Sequence, residues 1–282
     1  MKQNVLSMRW LRAFALAMIF PAAAFAQDTS DKDLQPKYPL AVTVSEGKLF
    51  VVDLDLPGVW AVEKERELFA KGSALLRKPM NRPRCVLALE NGTVLVGDTA
   101  TREIYRVESG ADPKPLMNGY LGIPMAMAID PERKQVYIGD AERRAIFRMP
   151  IEGGKPELVA RVNARGLAFD ADGNLWAVTP DDAAIQKINV ETQEVQSIVT
   201  GRPFQYPNGL VWAGDHGYVT DGYGKCIWKF TADGKTEKWH AGEPLVGPVG
   251  IAIDDTSLYV ADPKQQQVYQ FNRKSKEFAE RL

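Results

Sequence analysis

Residues 206–230 read YPNGLVWAGDHGYVTDGYGKCIWKF. An apolar strand opens after a glycine (Gly209-Leu210-Val211-Trp212), a turn follows, and a second apolar strand ends in Asp221. Six residues beyond that aspartate stands Ile227, followed by the aromatic Trp228. The phrase recurs near the end of the chain as Gly250-Ile251-Ala252-Ile253-Asp254, then Leu258-Tyr259-Val260-Ala261-Asp262, then Val268-Tyr269. Followed backwards, the unit supplies six anchors, Asp53, Asp98, Asp140, Thr179, Asp221 and Asp262, spaced 39 to 45 residues apart. Each is followed six residues on by Val59, Ile104, Ile146, Ile185, Ile227 or Val268, and three further by Val62, Val107, Met149, Ile188, Phe230 or Phe271.

Each unit reads as four short strands. The third alternates apolar and polar residues poorly, which predicts packing on both faces, and the fourth, for example Glu157-Leu158-Val159-Ala160-Arg161, is more polar. A four-stranded unit repeated at this period marks a β-propeller: one blade cannot bury its two faces alone, whereas a ring of blades can. Six units predict an all-β, six-bladed β-propeller over residues 38–282, with blades near 38–73, 84–119, 123–162, 164–201, 206–242 and 247–282. First and last units are in phase with whole blades, so no strand exchange is expected, and residues 34–38 are placed as an edge strand over the joint.

The pattern YVAD-x5-VY at 259–269, with its five relatives, resembles the NHL-repeat propellers and, more loosely, the six-bladed gluconolactonase/senescence-marker family. The resemblance implies the fold. It does not select an activity, because one propeller fold hosts binders, scaffolds and several kinds of enzyme.

Upstream of the repeat, Lys2, Arg9 and Arg12 precede a short apolar run, and Ala24-Phe25-Ala26 fits the cleavage rule for a signal peptide. The expectation is cleavage after residue 26, a flexible polar segment over 27–37, and export to the periplasm or the medium. No integral membrane span is expected after cleavage, since the apolar run is too short to cross a bilayer comfortably. The chain carries 35 basic and 36 acidic residues, a balance that argues against nucleic acid as partner. Its two cysteines, Cys85 and Cys226, fall on separate blades and are expected to be free thiols. A monomer is expected.

If the first strand of each blade runs along the central channel, its start, the end of the second strand and the blade-linking loops share one face, and this concave mouth is the default ligand site. Counting back from the shared glycine position places Leu40, Cys85, Met125, Arg165, Asn208 and Val249 around the channel entrance. In gluconolactonase-like enzymes, a Glu of the first blade and an Asn and an Asp of later blades hold a divalent ion there. Asn208 matches the Asn-Gly element of that family, but Leu40 and Val249 stand where the two acids would be, and a hard cation needs several oxygen ligands. Asn208 is therefore read as a turn or channel-lining residue, and as the one metal ligand if a calcium or zinc ion binds after all. No cofactor is expected.

The anchor aspartates recur once per blade at a fixed offset from a strand end, which points to structural turns in which the carboxylate accepts backbone N–H bonds. Only two histidines are present, His216 at the opposite face and His240 in an outer strand. Neither can serve a nucleophile in the channel, so no catalytic residue is assigned. Cys85 is read as a small apolar residue. Arginines and aromatics in the mouth loops, among them Arg84, Arg165 and Tyr206, suit a small anionic or carbohydrate-like ligand or a protein segment. Acids such as Asp181, Asp182, Glu103 and Glu142 share that face and are read as a solvated mixed surface. The expectation is a binding module without catalysis of its own; the alternative is a lactonase- or esterase-type hydrolase with an atypical metal site.

Overall fold

The computed structural model describes residues 34–55 and 58–282; the segment read as a signal peptide lies outside them. Six four-stranded antiparallel sheets follow one another along the chain, over residues 39–71, 83–115, 124–160, 166–200, 207–241 and 251–280. Each is a meander whose spatial order is its sequence order. The first strands, Pro39–Ser45, Pro83–Ala88, Pro124–Ile129, Gly166–Phe169, Pro207–Ala213 and Ile251–Ile253, touch in ring order, and the last touches the first. The molecule is a six-bladed β-propeller. Among the described residues, helix is confined to the 3-10 turn Glu90–Gly92, and no helix is long and apolar enough to cross a membrane.

The core is divided into six wedges, one between each pair of neighbouring blades, the sixth joining blade six to blade one. The apolar residues at the sixth position after each anchor are fully buried in these wedges. The second strands are the deepest, as Val94–Asp98 and Ser257–Asp262 illustrate with every residue buried. The third strands, expected to pack on both faces, are largely buried as well. A second strand has the channel strand on one side, the third strand on the other and a blade across each face, so apart from a first residue such as Lys48, Gln135 or His216 it is shielded from water.

Ring closure needs no exchanged strand. Residues 34–38 form no strand; instead Leu34 packs on the blade-six/blade-one wedge with Leu282, and Arg281 donates to Glu63 O at 3.0 Å. Close approach of the channel strands demands small residues. A Cβ on Gly250 would lie 2.7 Å from Ala41 Cα, and one on Gly166 2.5 Å from Leu210 N.

The anchors do what an Asx turn does, and more. Asp140 accepts from Glu142 N (3.0 Å) and Arg143 N (3.1 Å) in its own turn, and from Gly122 N (2.7 Å) and Ile123 N (3.0 Å) in the segment entering its blade. Asp53 holds Lys37 and Tyr38, Asp98 holds Asn81 and Arg82, Asp221 holds Gln205 and Tyr206, and Asp262 holds Val246 and Gly247 in the same way. Each carboxylate is buried and ties the exit of one strand to the entry of the blade. Asp140→Ala would strand four N–H donors, so a loss on the order of 3 kcal/mol is expected. In a domain of this size that corresponds to a fall of roughly 6–12 °C in melting temperature, against a much smaller fall for Thr179→Ala. Thermal unfolding of the two variants checks the difference.

Candidate functional site

The clamps place strand entries, blade-linking loops and second-to-third-strand turns on one face, around an open cavity of about 570 Å³ at the channel entrance. Leu40, Arg84, Cys85, Met125, Arg165, Asn208 and Val249 all line it. Register decides which of them are equivalent. Pro39 pairs with Asp53 and Ala41 with Val52, so Leu40 bulges out of the ladder; Pro83 pairs with Asp98 and Cys85 with Gly97, so the blade-two counterpart is Arg84. Met125 and Asn208 occupy the corresponding bulges of blades three and five. The ring is therefore Leu40, Arg84, Met125, Arg165, Asn208 and Val249, and the sequence count was one residue out in blade two. Blade two carries Cys where three other blades carry Gly, which removed the marker used for counting.

Cys85 belongs to the next position, facing the neighbouring blade. Its side chain is buried, Sγ lies 3.7 Å from Pro124 O, and burial pushes its thiol up to about 12. Cys226, also free and buried, is raised to about 11, first by burial and then by Asp221. Both thiols are therefore neutral at physiological pH, and only a thiolate is reactive. Folded protein is expected to take up Ellman's reagent at pH 8 far more slowly than unfolded protein, which should titrate as two thiols; rapid native labelling of Cys85 would contradict the buried geometry.

Electrostatics divide the mouth into a neutralised rim and a cationic hub. At the rim, Arg102 meets Glu142 at 3.0 Å, Arg144 meets Asp181 at 2.8 Å, and Arg202 meets Asp182 at 3.1 Å. Arg143 lies over the Tyr120 ring, 4.7 Å from its centroid, and donates to Tyr120 O. Glu103, read from sequence as part of this solvated surface, is buried and accepts from the backbone N–H groups of Ile104, Leu116, Met117 and Gly119. It is a structural carboxylate that shapes the end of blade two.

At the hub no Asp, Glu or His lines the cavity. The Arg84 side chain has Met125 Sδ as its partner, 2.8 Å from Nε. Arg165 is half-buried, and among the described residues no carboxylate pairs with it; burial, then the neighbouring Arg84 and Arg144, pull its guanidinium below the usual value, against Tyr206 and Asp181. Asn208 donates from Nδ2 to Tyr206 O at 3.1 Å and lines the cavity. The donor set does not fit a divalent cation: the ring offers one amide oxygen and two positive charges, and no cluster of three or more His, Cys, Asp or Glu side chains among the described residues could hold a metal. Asn208→Ala removes one hydrogen bond, so a loss of about 1 kcal/mol is expected in urea unfolding, with the fold retained.

The histidines lie elsewhere. His216 is held between Asp215 Oδ1 (2.6 Å) and the Tyr218 hydroxyl (3.0 Å), beside blade six and away from the hub, and His240 bonds to Glu243 O. Beside the hub, a second cleft of about 520 Å³ opens between blades four and five, sharing Arg165 and Asn208 with the first. Tyr206 lines it.

No family model matches the chain. Diisopropyl-fluorophosphatase of Loligo vulgaris is 28% identical over 117 residues, covering 34% of this chain and 37% of that protein, so the match spans little more than a third of the relative. Among solved structures, a gluconolactonase from Xanthomonas campestris superposes with a TM-score of 0.67 at 15% identity, covering 81% of this chain and 84% of the other. A chain of a nidogen/laminin complex superposes with a TM-score of 0.68 at 17% identity, covering 86% and 92%. At these identities the likeness establishes the fold alone. The chain is a six-bladed β-propeller with gluconolactonases among its structural neighbours.

Proposed function

We propose that this chain is an exported, NHL-type propeller that acts as a monomeric binding module without catalysis of its own. Its mouth takes a small anionic or carbohydrate-like ligand, or a protein segment carrying such a group. One observation carries the reading: the hub entrance is lined by Arg84 and Arg165, and no protein carboxylate lines that cavity to neutralise them. An unpaired charge in a partly buried site raises the energy of the empty protein, and an anion relieves that cost on binding. Arginine also presents a planar fork suited to carboxylate or phosphate, which a lysine would not. No metal is required by this reading, and the two acids that a gluconolactonase-like ion site would use are replaced by Leu40 and Val249.

Titration of acetate and inorganic phosphate against wild type and an Arg84→Gln/Arg165→Gln variant tests it. With charge-assisted contacts contributing about 1.5–3 kcal/mol each, the double variant is expected to lose roughly 100-fold or more in affinity. Its melting temperature should be unchanged or higher, because two uncompensated charges leave the hub. Metal analysis and a lactone-hydrolysis screen with and without chelator complete the test. Stoichiometric calcium or zinc together with chelator-sensitive turnover would overturn the binding-module reading in favour of a hydrolase.

A further inference from the structure

Blade four is the unit whose clamp is missing. The Thr179 hydroxyl reaches only its own turn, accepting from Asp181 N at 3.1 Å and donating to Ala183 O at 2.8 Å. The segment entering blade four is therefore not held as Gly122 and Ile123 are held by Asp140, and Asn163 within it keeps a buried Oδ1 with no partner. The cleft between blades four and five opens at this same place, with Thr179 in its wall. A break in the repeat at Thr179 and an Arg165 without a carboxylate partner thus coincide at this cleft.

The cleft is amphipathic. Pro180, Ala184, Phe204 and Pro207 give it apolar walls, while Arg165 stands where it meets the hub cavity. The carboxylate of Asp181 in the cleft is already matched by Arg144. Tyr206 is 43% exposed and braced from behind: its ring stacks on Tyr223 with centroids 4.7 Å apart and planes at 26°, and Lys264 Nζ lies 5.8 Å from the Tyr223 centroid. A flat, half-exposed aromatic face beside a guanidinium is suited to a ring that bears a negative charge.

We propose that the cleft binds the ring of a cyclic or aryl carboxylate, with the carboxylate on Arg165 and Arg84 and the ring between Tyr206 and the Pro180–Phe204 wall. The proposal rests on the anion-binding reading of the hub and names its ligand class. Thr179 and Arg165 both line the cleft, so a carboxylate at position 179 would put a negative charge in the wall of the proposed anion site.

Calorimetric or saturation-transfer titrations with benzoate, acetate and benzyl alcohol test it on the full chain. Wild type is expected to bind benzoate roughly tenfold or more tightly than either partial probe, since a desolvated ring commonly contributes that much discrimination. Tyr206→Ala should bring benzoate down to the level of acetate, and Arg165→Gln should weaken it about tenfold or more. Thr179→Asp should raise the melting temperature by restoring the clamp while weakening benzoate to a similar extent. Tyr206→Ala and Arg165→Gln alter incompletely buried side chains and carry the test if Thr179→Asp does not fold. Benzoate binding no tighter than acetate, or binding untouched by Tyr206→Ala or by a folded Thr179→Asp, would overturn the proposal. If acetate and benzoate bind equally and both need Arg84 and Arg165, the hub reading stands and the cleft inference falls. If neither anion distinguishes wild type from the double arginine variant, both fall.

Discussion

A buried carboxylate at the end of the second strand, accepting two N–H groups from the segment that enters its blade, is the constraint from which the rest of this propeller follows. Apolar wedges hold the blades together but do not specify where each begins. The clamp does, because it ties the exit of one channel-side hairpin to the entry of the same blade, as Asp262 ties Val246 and Gly247. Five such clamps align five strand entries at one face. The mouth is a consequence of that alignment, and so is the identity of the residues that line it.

The clamps also account for many of the carboxylates on this face. The anchor aspartates are spent on backbone donors, Glu103 is spent on four more, and Asp181, Asp182 and Glu142 are each engaged by an arginine. What remains unneutralised at the hub is positive. Net charge near zero hides this, because composition sums over groups that geometry has already paired. The chemistry of the mouth is decided by the charges left over, and those are Arg84 and Arg165.

Blade four is where the repeat departs from its own rule. A threonine stands in place of the clamp, its hydroxyl reaches only its own turn, and the cleft that it lines also holds Arg165. Such local departures from an otherwise regular unit are where function is expected to concentrate, since regularity elsewhere already secures stability.

From the chain alone, the architecture was legible apart from the edge strand expected over 34–38: six anchors, and apolar residues six and nine positions after each, are local consequences of strand length and blade packing, so they survive as a pattern in one dimension. The structural role of the aspartates and the placement of the two histidines away from the hub could be read the same way. The site was legible only in outline. Arg165, Asn208, Met125 and Tyr206 were placed at the mouth, but Arg84 was passed over for Cys85 in the ring because a one-residue bulge exchanges the side chains that face the channel and the neighbouring blade. The burial of Glu103, the pairing of the rim and the opening beside Thr179 came from tertiary structure, since each depends on which residues of different blades meet. Periodicity records what every blade repeats; what one blade omits, and which charges its neighbours leave unpaired, is decided only where the blades meet.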